Sequence, residues 1–259
     1  MLLSDAIKKP RKTSTPRVQT RTQTPRRKHG SADRASKVYY HGSSGTRSAG
    51  GVEGSMRDGF LRGRAVQQRS KFAPIVDRVY LTPDIGAAQI YAIGGMLAGR
   101  DLPPTFIERD GIERDGRYGY IFVVPESELR DPWPDEDAVG QLVSDGLQKT
   151  DAYRNRLGEC PRWLVQLAEN HLTPKQLSRF RSFNANYADE AAIGKKLVKN
   201  MTPEQRAELV ARGWAVASLG PTRFTEVWRL DKTRTRELRE DGSNFFEIAE
   251  RMPLVTETG

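Results

Sequence analysis

Apolar residues fall in short runs near both ends of the chain and recur at helical spacing between them. Val38-Tyr39-Tyr40 is a β-prone run that ends at His41-Gly42 and is followed by a Gly/Ser-rich turn from Ser43 to Gly51. Val52 to Arg57 predicts a short helix stopped by Gly59, and Arg78 to Thr82 a strand. Pro83-Asp84 opens a helix expected over about Ile85 to Leu97. Arg100 to Gly116 is polar and carries Ile-Glu-Arg-Asp-Gly twice in succession, a local duplication and not a solenoid period. Tyr118 to Val124 is the strongest strand signal, ended by Pro125. From Pro134 to Gly213 the pattern is mostly helical. Two starts are well marked there: Thr173-Pro174-Lys175-Gln176 and Thr202-Pro203-Glu204-Gln205 each read as a capping box with Pro at the first helical position. Trp214 to Leu219 and Phe224 to Leu230 return to β, joined by a Gly220-Pro221 turn, and a helix is expected around Asn244 to Arg251.

Strands, a helical insert over about residues 134–213, and strands again define an α+β domain. Early and late strands are expected to pair across the insert in a split, mainly antiparallel β core. The domain is expected to occupy residues 38–259, ahead of which residues 1–37 form a separate arm. Charge sharpens this division. The formal net charge of the 259 residues is +9. Residues 1–40 hold 11 basic and two acidic side chains, and the rest of the chain is balanced, with 31 of each. The basic character therefore belongs to the arm. Rich in Thr, Ser and Pro and nearly free of large apolar groups, the arm is expected to be disordered. Its chemistry suits a polyanion, held by phosphate neutralisation. It has no aromatic residue before Tyr39 for base stacking.

No run approaches the 18 or so apolar residues a membrane-spanning helix needs. The first residues hold no long apolar stretch, which argues against a standard secretory signal, and three prolines argue against an amphipathic transit peptide. The expected location is cytoplasmic or nucleoid-associated. A single cysteine, Cys160, leaves no intramolecular disulfide, and as a nucleophile it would need a basic, partly exposed setting. His29, His41 and His171 do not make a zinc set, and no metal is expected. Asp135-Glu136-Asp137 after Pro134 has two readings. It could meet a hard cation such as Mg²⁺, but acids in the first turn of a helix are favoured by its dipole, and that reading is preferred.

Three segments carry candidate chemistry: Tyr40-His41-Gly42-Ser43 at a strand end; Val79-Tyr80-Leu81-Thr82 with Ala88-Gln89-Ile90-Tyr91 downstream; and Glu226 at the start of a late strand. Together with Asp58-Gly59-Phe60, these segments resemble the ADP-ribosyltransferases of the His–Tyr–Glu type, the group that contains diphtheria toxin and the poly(ADP-ribose) polymerases. The resemblance covers about residues 38–95 and 214–231 and leaves out the arm and the insert. Position 88 is Ala where some members carry a Ser.

The resemblance implies an NAD-dependent mono-ADP-ribosyltransferase, with NAD as co-substrate and nicotinamide released. Its catalytic residues would be Glu226, His41 and Tyr80, and its NAD-binding residues His41, Gly42, Ser43, Tyr80 and Tyr91. The residue types suit that chemistry. Cleavage of the glycosidic bond leaves an oxocarbenium-like ribosyl cation, which a fixed carboxylate stabilises. An imidazole meets a ribose hydroxyl at neutral pH, a glycine admits close backbone approach, and tyrosine faces sandwich a nicotinamide ring. No GxGxxG follows a strand, so the site is not of Rossmann type. The acceptor is expected to be a macromolecule: DNA, RNA or a nucleic-acid-bound protein. Two alternatives stand beside this one: an inactive module that binds nucleic acid through its arm, and an RNA 2′-phosphotransferase-like enzyme.

Overall fold

The structure, a computed structural model, describes residues 37–44, 52–63, 75–93, 108–109, 112–113 and 117–254. The basic arm up to residue 36, the glycine-rich turn from 45 to 51 and the expected continuation of the helix from 94 to 97 lie outside the described residues. The fold mixes helices with antiparallel sheet. In chain order it runs β1 (Val38–Ser43), α1 (Val52–Asp58), β2 (Phe60–Leu61), β3 (Arg78–Leu81), α2 (Ile85–Ala92), β4 (Glu108–Arg109), β5 (Ile112–Glu113), β6 (Tyr118–Pro125) and β7 (Trp133–Pro134). Helices α3 (Glu136–Gln148), α4 (Arg154–Leu157), α5 (Arg162–His171), α6 (Pro174–Arg181), α7 (Tyr187–Asn200) and α8 (Pro203–Ala211) follow. The chain then forms β8 (Val216–Leu219), β9 (Thr222–Arg223), β10 (Glu226–Asp231), α9 (Phe245–Ile248) and β11 (Glu250–Met252).

Every strand pair among the described residues is antiparallel. One sheet has the order β1-β6-β10-β11, a second β3-β8-β7. They are joined where Tyr40 and Thr82 exchange backbone hydrogen bonds of 2.7 and 2.9 Å. Strands before and after the helices pair directly: β3 with β8, β2 with β9, and β6 with β10. Between the sheets lie Tyr39, Val79, Leu81, Phe122, Val124, Val216 and Val227, all buried. The outer face of the four-stranded sheet is covered by α2 and α9 through Ala88, Ala92 and Phe245, against Ile121 and Leu230. The helices from α3 onward have a core of their own, built on Leu142, Leu164, Phe180, Leu197 and Leu209.

Two close approaches set this geometry. A Cβ on Gly42 would stand 2.0 Å from the carbonyl oxygen of Ala88, and one on Gly119 the same distance from that of Ala92. Strands β1 and β6 therefore let α2 rest directly on the sheet. In the insert, a Cβ on Gly194 would stand 1.7 Å from the Glu136 carbonyl oxygen, and one on Gly140 would stand 2.1 Å from that of Glu190. Helices α3 and α7 touch backbone to backbone at these reciprocal glycines. Both expected capping boxes form, at Thr173 and Thr202, each with the reciprocal Gln bond.

The end of the chain departs from expectation. Only Phe245–Ile248 is helical, and Glu250–Met252 instead pairs with Val227 to Arg229 of β10. Its ladder hydrogen bonds and the Arg229–Glu250 ion pair at 2.5 Å outweigh a local helix signal of a few residues. A second unexpected feature is Arg78, only 6% exposed on β3. It pairs with Asp131 at 2.6 Å, donates to the Ala217 carbonyl at 3.0 Å and lies 3.8 Å over the Trp133 ring. Replacing Arg78 with Met should cost about 2–3 kcal/mol in urea unfolding, because the Ala217 carbonyl is left without its charged donor.

Candidate functional site

His41 is the fourth residue of β1 and shares the inner face of the sheet with Tyr39 and Phe122, its ring 6.1 Å from that of Phe122. Its Nδ1 lies 2.8 Å from the backbone carbonyl oxygen of Tyr80. A carbonyl only accepts, so Nδ1 carries the proton in this bond and the neutral ring keeps its acceptor lone pair on Nε2. Burial lowers the imidazole pKa below its usual value, against a smaller upward pull from the Tyr80 carbonyl. The ring is therefore neutral at pH 7, as a hydrogen-bond acceptor for a hydroxyl must be.

Tyr80 turns the other way. Its neighbours Val79 and Leu81 enter the core between the sheets, so its side chain leaves from the opposite face of β3. There the hydroxyl accepts from the Ile75 amide at 2.9 Å and donates to Glu136 Oε1 at 2.5 Å. Burial, and then the Glu136 charge, raise the Tyr80 pKa far above its usual value. Tyr91 projects from α2, its Cβ 2.9 Å from where a Gly42 Cβ would be, and its side chain is 54% exposed as part of the residue. Its pKa is raised by burial of the hydroxyl and by the charges of Asp135 and Asp137.

Those acids stand at the start of α3. Asp135 is the N-cap, its Oδ1 accepting from the amides of Asp137 and Ala138 at 2.9 and 3.1 Å. Asp137 accepts from the hydroxyl of Tyr187, the first residue of α7. Glu136 is 6% exposed, and its Oε2 is buried with no hydrogen-bond partner. Burial raises its pKa to about 7, against the Tyr80 hydrogen bond, which lowers it. Burial and the neighbouring Asp137 charge raise that of Asp135 to about 6. Thus the Tyr80 side chain meets a carboxyl group from the insert and its backbone meets His41, while Tyr91 stands beside Gly42 on the face of β1 opposite His41, so the three side chains are not brought together.

The chain matches no family model, no curated protein and no solved structure.

Two expected site residues, Gly42 and Glu226, stand differently from their assigned roles. Gly42 was to admit a ligand, but the space beside it is filled by the Ala88 carbonyl and Tyr91 Cβ, so its small size serves the seating of α2. Ser43 ends β1, and the carbonyl of the next residue, Ser44, accepts at 2.6 Å from the fully buried Lys232. Glu226 is not brought to His41. It pairs across β10 and β6 with Val123, which pairs with Tyr40, whereas His41 pairs with Phe122. Directly paired residues share a face, so Glu226 lies on the face of Tyr40, opposite His41. There it accepts from Trp228 Nε1 at 3.0 Å and meets Arg251 at 3.4 Å. A shallow depression of about 380 Å³ beside it is lined by Thr225, Arg251, Met252, Pro253 and Leu254.

Neither Glu136 nor Lys232 was singled out for the site from sequence. Asp135-Glu136-Asp137 did stand out, for its helix start, and Asp135 is that cap. Nothing in the sequence marks Lys232. Cys160 has its thiol pushed up to about 11 by burial, which removes it as a thiolate nucleophile. Among the described residues no group of three His, Cys, Asp or Glu is placed to hold a metal ion, and no helix is long and apolar enough to cross a membrane.

Proposed function

We propose that the protein is an NAD-dependent mono-ADP-ribosyltransferase of the His–Tyr–Glu type. The observation that carries this reading is His41 at the end of β1, its Nδ1 held by the Tyr80 carbonyl so that Nε2 is left as an acceptor. In this reading His41 accepts from a ribose hydroxyl, and Tyr80 and Tyr91 offer faces to the nicotinamide ring. The acceptor is a macromolecule, DNA, RNA or a protein bound to either, approached through the basic residues of the arm. The groups around Tyr80 and Tyr91 are carboxyls, which disfavours a phosphotransferase site built on arginines. The placement of Glu226 on the other face of the sheet favours one competing reading, an inactive module that binds nucleic acid through the arm.

The deciding experiment incubates the protein with labelled NAD, alone and with cell lysate, DNA or RNA. The wild type should release nicotinamide and label one acceptor class. His41→Ala should reduce release by about 10²-fold or more, the usual effect of losing a group that acts on the transition state. A folded wild type that releases no nicotinamide sinks the proposal in favour of the inactive module. Glu226→Gln adds a separate arm: full transfer by this variant removes Glu226 from the reaction, and loss of transfer with NAD binding intact keeps it there.

A further inference from the structure

Helix α6 ends on a residue that its closing turn does not favour. The Phe183 amide donates to the Phe180 carbonyl at 3.0 Å and the Asn184 amide to that of Arg179 at 2.9 Å, the paired bonds of a Schellman close. The residue at the turning point takes a left-handed backbone, and glycine or asparagine is its usual occupant. Here it is Phe183, with φ of 58° and 64% of its surface exposed. Its ring meets no other ring among the described residues. A strained backbone and a displayed aromatic thus coincide at one position, and neither serves the fold. Beside Phe183 lies a depression of about 430 Å³ lined by Pro174, Leu177, Ser178, Arg181 and Ser182. These positions recur at helical spacing and form one stripe along α6 that runs up to Phe183. Among the described residues the Ser178 hydroxyl has no partner and Lys175 meets no acid. Arg181 shares a half-exposed ion pair of 2.7 Å with Glu169, a kind of pair that contributes little and exchanges readily. Arg179 is held by both oxygens of Asp189 and stays with the fold. Lys196 of α7 reaches the His171 carbonyl, just ahead of α6. Four cations therefore surround the stripe against two carboxylates.

We propose that this stripe of α6, with Phe183 at its end, binds single-stranded nucleic acid. A base stacks on the Phe183 ring, the phosphates beside it meet Arg181 and Lys175, and the Ser178 hydroxyl lies between them. Lys175 and Phe183 stand about 12 Å apart along the helix axis, so the contact spans more than one nucleotide. A duplex keeps its base faces stacked on one another, and a single strand is the form with a face to offer. Three of the five lining residues are polar and the cations outnumber the acids, which fits a polyanion better than an apolar protein surface. The proposal stands apart from the NAD reading: it gives the helical insert a contact of its own.

Titration of the full chain with an oligothymidylate, an oligouridylate and an abasic strand of equal length tests this. The three carry the same phosphate charge, so the basic residues of the arm attract them alike and the bases make the difference. The wild type should bind a base-bearing strand about fivefold tighter or more than the abasic one, the effect of one stacked base. Phe183→Gly should lose that preference. It also supplies the residue that the turn favours, so its urea midpoint should equal or exceed that of the wild type. Phe183→Trp should keep the preference. Lys175→Ala should weaken binding of all three strands and flatten the salt dependence. A preference in the deoxy arm or the ribo arm supports the proposal and tells DNA from RNA. Equal binding of all three strands by the wild type overturns it, and so does a preference that survives in Phe183→Gly. Self-association that Phe183→Gly abolishes, with no preference for bases, would assign the stripe to a protein contact and overturn it as well.

Discussion

Valine at position 194 should destabilise the protein by about 3 kcal/mol or more, at the upper end of what overpacking costs. The new Cβ would stand 1.7 Å from the Glu136 carbonyl oxygen and 2.9 Å from the Gly140 amide nitrogen. Both are backbone atoms of α3, so no side chain can swing aside. Helix α7 would have to lift away, uncovering Val139, Leu197 and Val198, all fully buried between the helices. Urea unfolding of Gly194→Val beside Lys199→Ala, an exposed position on the same helix, measures the effect. The control should stay within about 0.5 kcal/mol of wild type. A similar small change in Gly194→Val would mean that the two helices do not touch at their backbones.

Stability of the unliganded chain should fall as pH rises through neutrality. The Glu136 carboxyl has a pKa of about 7 in the fold against an ordinary 4.5, and a raised acid favours the fold while it is protonated. The contribution is complete below pH 4.5 and is lost as pH passes 7. A shift of that size corresponds to about 3 kcal/mol in all, of which about 2 kcal/mol falls between pH 5.5 and 8. Asp135, raised to about 6, adds in the same direction at lower pH. Glu136→Gln keeps an acceptor for Tyr80 and has no charge to bury. It should be more stable than wild type at pH 8 and lose most of the slope above pH 6. Denaturant midpoints at both pH values read this directly, and an unchanged slope in the variant would place the titration elsewhere.

What was legible in the sequence, and what was not, follows from range. Thr173 and Thr202 form their capping boxes because a cap is settled within four residues. Tyr118 to Pro125 is a strand because its apolar density leaves it few other places than the centre of a sheet. Glu226 does begin a strand, but the face it takes depends on register against β6, and a slip of one residue reverses every side chain. The meeting of Tyr80 and Glu136 joins positions 56 apart in sequence through the seating of α3, which no local pattern encodes. Arg78 and Lys232 are buried charges, and composition argues against burying either. Their carbonyl partners at Ala217 and Ser44 lie 139 and 188 residues away.

The contact between the start of α3 and Tyr80 makes the insert a poor candidate for excision. A shortened chain that joined residue 134 straight to 214 would keep every strand of the sheets. It would nevertheless strip the Tyr80 hydroxyl of its acceptor and the rim beside Tyr91 of its carboxyls. The same dependence links positions in heredity. A substitution at Gly140 or Gly194 moves the helix that carries Glu136, so drift at either glycine is felt at Tyr80. Positions 80, 136, 140 and 194 should then change together or stay fixed together, as one inherited unit spanning core and insert.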